Sequence, residues 1–384
     1  MNTPAMQPLE TPASLDAKAQ GLFGPSASPF SFFFSPGRVN LIGEHLDYNG
    51  GHVLPCAINR GNYLALRPRA DRTIRAFSEN FPQSGVWAGD LDQEQCANGW
   101  FQFLYGALRV LPHSLPMGFD LFLTGNLPNG AGLSSSASVS TGILYALNQV
   151  FHLGHSRVEL ALLAQQVENR YIGVQCGIMD QYAILMGEAD AAIYLNTQKL
   201  SHETVPFVLK DLALVISNTN KKRTLAGSAY NDRRRACELA AKALGRPIAG
   251  VRPEEILALA LPEDVRQKAL YVAQEEERSL AAAKALKAQD LSAFASLMNA
   301  SHAGLRDLFQ VTGPELDALS WALRQEGAPG ARMTGAGFGG CTVALVPKED
   351  LSGRLERAAA RYQAATGLQA DHYLVVPSKG TGEL

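Results

Sequence analysis

The sequence has no CxxC pair, no block of like charge and no apolar run approaching the roughly 20 residues that a bilayer requires. Its five cysteines, Cys56, Cys96, Cys176, Cys237 and Cys341, are odd in number and widely spread, which fits reduced, buried thiols and excludes a disulfide framework or a zinc site. Lys plus Arg number 34 against 36 for Asp plus Glu, a formal charge of -2 that gives neither nucleic acid nor an anionic membrane an electrostatic motive to bind. The stretch "MNTPAMQPLETPASLDAKAQ" has no basic segment followed by an apolar one, so a cytoplasmic location is the expectation. No internal repeat is evident.

What is there is an ordinary globular composition, 46% hydrophobic and 18% charged, spread over 384 residues. Single hydrophobic cores stop growing beyond roughly 250 to 300 residues, so two lobes are expected. Residues 1–28 are Pro-, Ala- and Ser-rich and read as a flexible lead-in, with a short helix near Leu15 to Leu22. Residues 29–205 are strand-rich, with "FSFFFSPGRVN", "GNYLALRPRA", "RTIRAFS" and "GFDLFLTGNLP" as strands and "WFQFLYGALRVL" as a helix. "SSSASVSTGILYALNQVFHLG" reads as a helix closed by Gly154, and "SRVELALLAQQVENRYIG" as another, opened by a Ser156–Glu159 capping box. Residues 206–384 are helix-rich before returning to strand, helix and strand in "GFGGCTVALVP", "LSGRLERAAARYQAATG" and "ADHYLVVP". "SHETVPF" separates the halves, so the fold class is α+β in two lobes, with a cleft between them as the natural ligand site.

Four segments carry chemistry. "PGRVNLIGEHLDYNGGHVLPCAI", residues 36–58, packs Arg38, Asn40, Glu44, His45, Asp47, Tyr48 and Asn49 among glycines, and alone it is compatible with a metal, an acid–base pair or a clasp for a polar ligand. In "LPNGAGLSSSASVS", Gly130 and Gly132 precede Ser134, Ser135 and Ser136 at the start of an apolar-periodic helix. Glycines let backbone N–H groups approach an anion, and the helix terminus adds free donors and a positive dipole end. A flexible turn before an N-capped helix explains the same residues about equally well. "RMTGAGFGGCTVAL" sets Gly335, Gly337, Gly339 and Gly340 before a strand, where backbone approaches either a ligand or other backbone. "VQCGIMDQYAILMG" places Asp180 among apolar residues that would desolvate its carboxylate, and Glu168 on the preceding helix is a second acid.

Together these segments resemble the galactokinases of the GHMP kinase superfamily: the first is similar to the galactokinase signature, the second to the superfamily's phosphate loop and the third to its glycine-rich third motif. The order and spacing also match, from about residue 30 onward. The resemblance implies a two-lobed GHMP kinase fold, with an N-terminal ribosomal-protein-like α/β domain, a C-terminal ferredoxin-like α+β domain and the active site in the cleft between them. It implies transfer of the ATP γ-phosphoryl to the anomeric hydroxyl of galactose, with Mg2+ as cofactor and a monomer or weak homo-oligomer as the assembly.

By position, the resemblance makes Asp180 the catalytic carboxylate and Arg38 its partner. Glu44, His45, Asp47, Gly177 and Tyr230 would contact the sugar. Gly130, Ala131, Gly132, Leu133, Ser134, Ser135, Ser136 and Ala137 would hold the ATP phosphates, with Trp100 near adenine, in a segment that departs from the family's usual W-x-N-Y-x-x-G. Ser134, Ser136 and Glu168 would complete the magnesium site. Leu46 stands where the family usually has Thr, so kinases for N-acetylgalactosamine or arabinose are alternatives, as is a non-catalytic sugar- and ATP-binding sensor. A metal hydrolase built on Glu44, His45 and Asp47 fails on spacing, because these are not two His one helical turn apart.

Overall fold

The computed structural model describes residues 10–93, 99–128, 132–221 and 226–384. Among them the first sheet runs β13 (Gly382–Glu383), β1 (Ser31–Asn40), β3 (Pro55–Pro68), β6 (Phe119–Gly125), β4 (Thr73–Ser78), β5 (Trp87–Asp90). Its pairs are antiparallel except for β4 with β6. A second sheet has the order β10 (Gly330–Thr334), β11 (Cys341–Pro347), β9 (Leu212–Asn218), β12 (Asp371–Val375), and a third the order β2 (His52–Val53), β7 (Ala191–Asn196), β8 (Ser201–Pro206). The helices are α1 (Pro12–Phe23), α2 (Phe101–Val110), α3 (Ser135–Val150), α4 (Arg157–Val167), α5 (Met179–Met186), α6 (Ala226–Leu244), α7 (Pro253–Leu257), α8 (Glu263–Lys287), α9 (Leu291–Gly304), α10 (Gly313–Gln325) and α11 (Leu351–Thr366).

The expected strands and helices form where the periodicity placed them, and the chain order β9, helices, β10, β11, α11, β12 gives the second sheet a ferredoxin-like topology. The Ser156–Glu159 capping box opens α4. Helix α3 ends at Val150 rather than at Gly154, whose φ of +79° instead turns the chain toward α4.

Two expectations need correction. The lead-in is not wholly flexible: the short helix expected near Leu15 to Leu22 forms as α1, longer and docked, with a Thr11–Ser14 capping box, Pro12 at its start, and Leu15, Ala19 and Phe23 recurring every four residues on one buried face. That face packs on Phe30, Tyr63, Ala65 and Phe122 of the first sheet, each large apolar side chain contributing about 1.5–3 kcal/mol. "SHETVPF" is not a separator either. Its first six residues are strand β8, whose Val205 is buried while Ser201, His202 and Glu203 face solvent. The halves also interleave, since β13 pairs with β1 and the Ser378 N–H donates to Ala57 O at 2.9 Å, sewing the C-terminal tail to the first sheet.

The feature that builds the cleft is a register shift in β1 between Pro36 and Arg38. Such an irregularity re-aims a side chain. Gly37 lies at the shift, where an added Cβ would sit 2.8 Å from Leu133 O, so only glycine lets the serine loop rest on β1.

Candidate active site

Arg38 leaves β1 at this irregularity, 5% exposed, and its guanidinium grips Asp180 with two parallel bonds, Nε to Oδ1 at 2.7 Å and Nη2 to Oδ2 at 2.8 Å. Its remaining arm, Nη1, donates to Gly132 O at 2.9 Å. One side chain thus ties the acid in the first turn of α5 to the serine loop. Ser134 completes the junction: in the left-handed conformation, φ +59°, it sends its hydroxyl to Asp180 Oδ2 at 2.5 Å. Because that hydroxyl is engaged, no side chain caps α3, and its first-turn N–H groups keep their capacity for an anion. Ser135 is exposed at this end, whereas the Leu133 and Ala137 side chains are buried and offer only backbone.

Glu168 approaches from the end of α4, where the helix widens into a π turn over Glu168–Ile172. It is buried and accepts from Ser136 Oγ at 3.0 Å and Gln181 Nε2 at 2.8 Å. Burial, and then the charge of Asp180, push its carboxyl up to about 7. Among the described residues no group of three or more His, Cys, Asp or Glu could hold a metal. Glu168 with the Ser136 hydroxyl nevertheless fits Mg2+, which takes one or two carboxylates and completes its shell with phosphate oxygens and water.

The polar loop after β1 forms the third wall. His45 has φ +64°, its Nδ1 meets Tyr48 Oη at 2.9 Å, and its Nε2 is buried without a partner. Burial, with Arg332 and Arg233 nearby, lowers its pKa to about 3, so the ring is neutral. It packs against Phe309 and Tyr230, with ring centroids 4.6 and 5.7 Å away. Asp47 is pushed up to about 7 by burial and by Asp180. Gly177 faces it so closely that an added Cβ would lie 1.9 Å from Asp47 Oδ2. A cavity of about 310 Å³, lined in part by Asp47, Tyr48, Cys176, Gly177 and Arg234, opens on this side.

The structure therefore joins Arg38, Asp180 and Ser134 by hydrogen bonds, joins Ser136 to Glu168 close enough for the charge of Asp180 to act on it, and sets His45, Asp47, Gly177 and Tyr230 beside them. Glu44 differs from its neighbours: it is 1% exposed, paired with the buried Arg332, and accepts the Gly335 N–H at 3.1 Å. Burial raises its carboxyl against the pull of Arg332. Trp100 is packed in the main hydrophobic cluster, 4.3 Å from the Phe101 ring, with its indole N–H unpartnered. Gly130 and Ala131 lie outside the described residues. Leu46 is wholly buried in the main cluster, so the one irregular position of the sugar signature presents no side chain to a ligand. Sequence reasoning did not single out Arg332 or Gln181, and it named Tyr48 without giving it a role. For Arg332 a signal existed, since a charge inside an otherwise apolar strand needs a buried partner.

Three family models match the chain: GHMP kinases N terminal domain over residues 102–188, Galactokinase galactose-binding signature over 20–68 and GHMP kinases C terminal over 282–365. The fold and site thus define a GHMP kinase. The galactokinase of Bacillus subtilis is 43% identical over 92% of this chain and 94% of its own length, and that of Clostridium perfringens 44% identical over 93% and 96%. The structure of Lactococcus lactis galactokinase complexed with galactose is 39% identical, superposes with a TM-score of 0.93 and covers 97% of this chain and 99% of that one. Methanococcus jannaschii mevalonate kinase, 18% identical with a TM-score of 0.67 over 92% and 100%, shares the fold. The chain belongs to the galactokinase family, and it is a kinase.

Proposed function

We propose that this protein transfers the γ-phosphoryl group of ATP to the anomeric hydroxyl of galactose, yielding galactose 1-phosphate and ADP. The observation that carries this reading is the Arg38–Asp180–Ser134 junction, where the candidate proton acceptor touches the loop that would hold the phosphates. The L. lactis relative holds galactose, and its high identity supports the same sugar here.

Asp180 accepts the proton of the attacking hydroxyl, and Arg38 fixes the carboxylate and offsets developing negative charge. A loose transition state demands little base strength, so orientation of the hydroxyl matters alongside proton removal. Asp47 and Glu44 accept from ring hydroxyls, neutral His45 offers one donor or acceptor according to tautomer, and Gly177 and Tyr230 shape the pocket. The free N–H groups at the start of α3, with Gly130 to Ala137, bind the nucleotide phosphates. Ser136 and Glu168, with Ser134 beside them, would hold Mg2+, which would neutralise phosphate charge. Trp100 bounds the adenine side from within the core.

Purified protein with MgATP and a panel of galactose, glucose, N-acetylgalactosamine, arabinose and mevalonate tests the reading through ADP release and 31P NMR of the product. Galactose is the expected preferred acceptor. Turnover on none of the sugars sinks the kinase assignment, and preference for another sugar sinks the substrate.

A further inference from the structure

Beneath the sugar loop lies a buried ionic cluster that the phosphoryl-transfer geometry does not use. Arg332, on the fully buried strand β10, donates from Nη1 to Leu41 O at 3.1 Å and pairs through Nη2 with Glu44 Oε2. The other Glu44 oxygen takes the Gly335 N–H, and a Cβ built on Gly335 would lie 3.6 Å from Gly132 O in the phosphate loop. On the opposite flank, Glu275 of α8 accepts from the Gly43 N–H at 3.0 Å, from Ser301 Oγ at 2.5 Å and from Arg278 Nε at 2.6 Å. Tyr271 Oη donates to Glu44 O at 3.1 Å. The strand beside Arg332 is itself held, since Met333 N–H donates to His302 Nδ1 at 3.1 Å.

A buried ion pair is a poor device for stability, because desolvating both charges offsets most of their attraction and an apolar pair of equal volume packs as well. What an apolar pair lacks is direction. Residues 41–45 contain Gly43 at φ +97° and His45 at φ +64°, a path with little intrinsic preference for one shape. Arg332 spans it, holding the carbonyl of Leu41 before the turn and the carboxylate of Glu44 after it.

We propose that Arg332 is a positioning residue for sugar recognition: its guanidinium fixes the Glu44 carboxylate and the entry of the loop, so that Glu44, His45 and Asp47 face one pocket. This rests on the reading of residues 44–47 as the sugar clasp. The carboxylate it holds also bonds the Gly335 N–H, which ties the clasp to the turn abutting the phosphate loop.

The test uses the full chain with Arg332→Lys and Arg332→Gln, following melting temperature, galactose and ATP KM, kcat and the calorimetric Kd for galactose. Lys keeps the charge but lacks the planar fork that reaches two acceptors. In Arg332→Lys the galactose KM and Kd should rise about 10- to 100-fold, as loss of positioning remote from the chemistry does, while the ATP KM moves less than about threefold. Arg332→Gln should exceed Lys on galactose only, and if it fails to fold, Arg332→Lys alone decides. An unchanged galactose KM and Kd in Arg332→Lys overturns the proposal, as does a parallel rise in both KM values tracking lost thermal stability. A parent that binds galactose without turning it over refutes the kinase reading instead, and the comparison is then read in Kd.

Discussion

Two acids, the half-buried Asp180 and the buried Glu168, meet in one cleft and are held in opposite ways. Asp180 is clasped by both arms of Arg38 and by Ser134, so its charge is balanced within the protein. Among the described residues Glu168 accepts side-chain hydrogen bonds from the neutral donors Ser136 and Gln181, and its carboxyl is pushed up to about 7 by burial and by Asp180. A carboxylate with its own cation is positioned before any ligand arrives. One held only by neutral donors in low dielectric favours an arriving cation. The first arrangement suits the group that orients and deprotonates an acceptor, the second the group that waits for a metal–nucleotide complex.

The largest effect expected from breaking this contrast is on the Asp180 side. Asp180→Asn keeps the volume and removes the proposed proton acceptor, and steady-state assays should show kcat down about 10²- to 10⁴-fold. Melting temperature and galactose affinity should change far less. On the other side, Glu168→Gln should raise the Mg2+ concentration needed for half-maximal rate by about 10-fold or more, read from a Mg2+ titration at saturating galactose.

A pH series sharpens the same contrast. Glu168 and Asp47 sit at about 7, above their ordinary values of 4.5 and 3.8, so between those limits the native state binds more protons than the unfolded chain. The ligand-free protein should lose stability as pH rises through that window, because the slope of stability with pH follows protons bound unfolded minus protons bound native. Stabilisation by MgATP should grow over the same range, since metal binding requires the ionised carboxylate. Melting curves from about pH 5 to 8, with and without MgATP, check both signs. The smallest effect on recognition is expected at Leu46: Leu46→Thr should cost about 1–3 kcal/mol by burying a hydroxyl, while the galactose KM shifts less than about twofold.

Much of this was legible in the sequence because the informative residues are local. β-rich runs bounded by Gly, Pro, Asn and Asp placed β1, β3 and β6, a capping box placed the start of α4, and the serine run placed the start of α3. The pairing of Arg38 with Asp180, 142 residues apart, followed only from the resemblance, since no local pattern links them. The docking of α1 was hidden by the Pro- and Ala-rich composition around it, whose apolar face acquires meaning only against the first sheet. Strand β8 was hidden because one face of it is solvent-exposed and polar. The Arg332–Glu44 pair spans two segments whose glycines drew attention away from the charge. Leu46 illustrates the reverse error: a departure from a family pattern suggested a change of substrate, yet its side chain packs in the core.

The division of labour between the two acids is tested most directly by measuring the Mg2+ dependence of nucleotide affinity in Asp180→Asn and Glu168→Gln side by side. The account predicts a parent-like Mg2+ dependence in Asp180→Asn, despite lost turnover, and a shift of about 10-fold or more in Glu168→Gln. Equal shifts in the two variants, or a shift confined to Asp180→Asn, would contradict it.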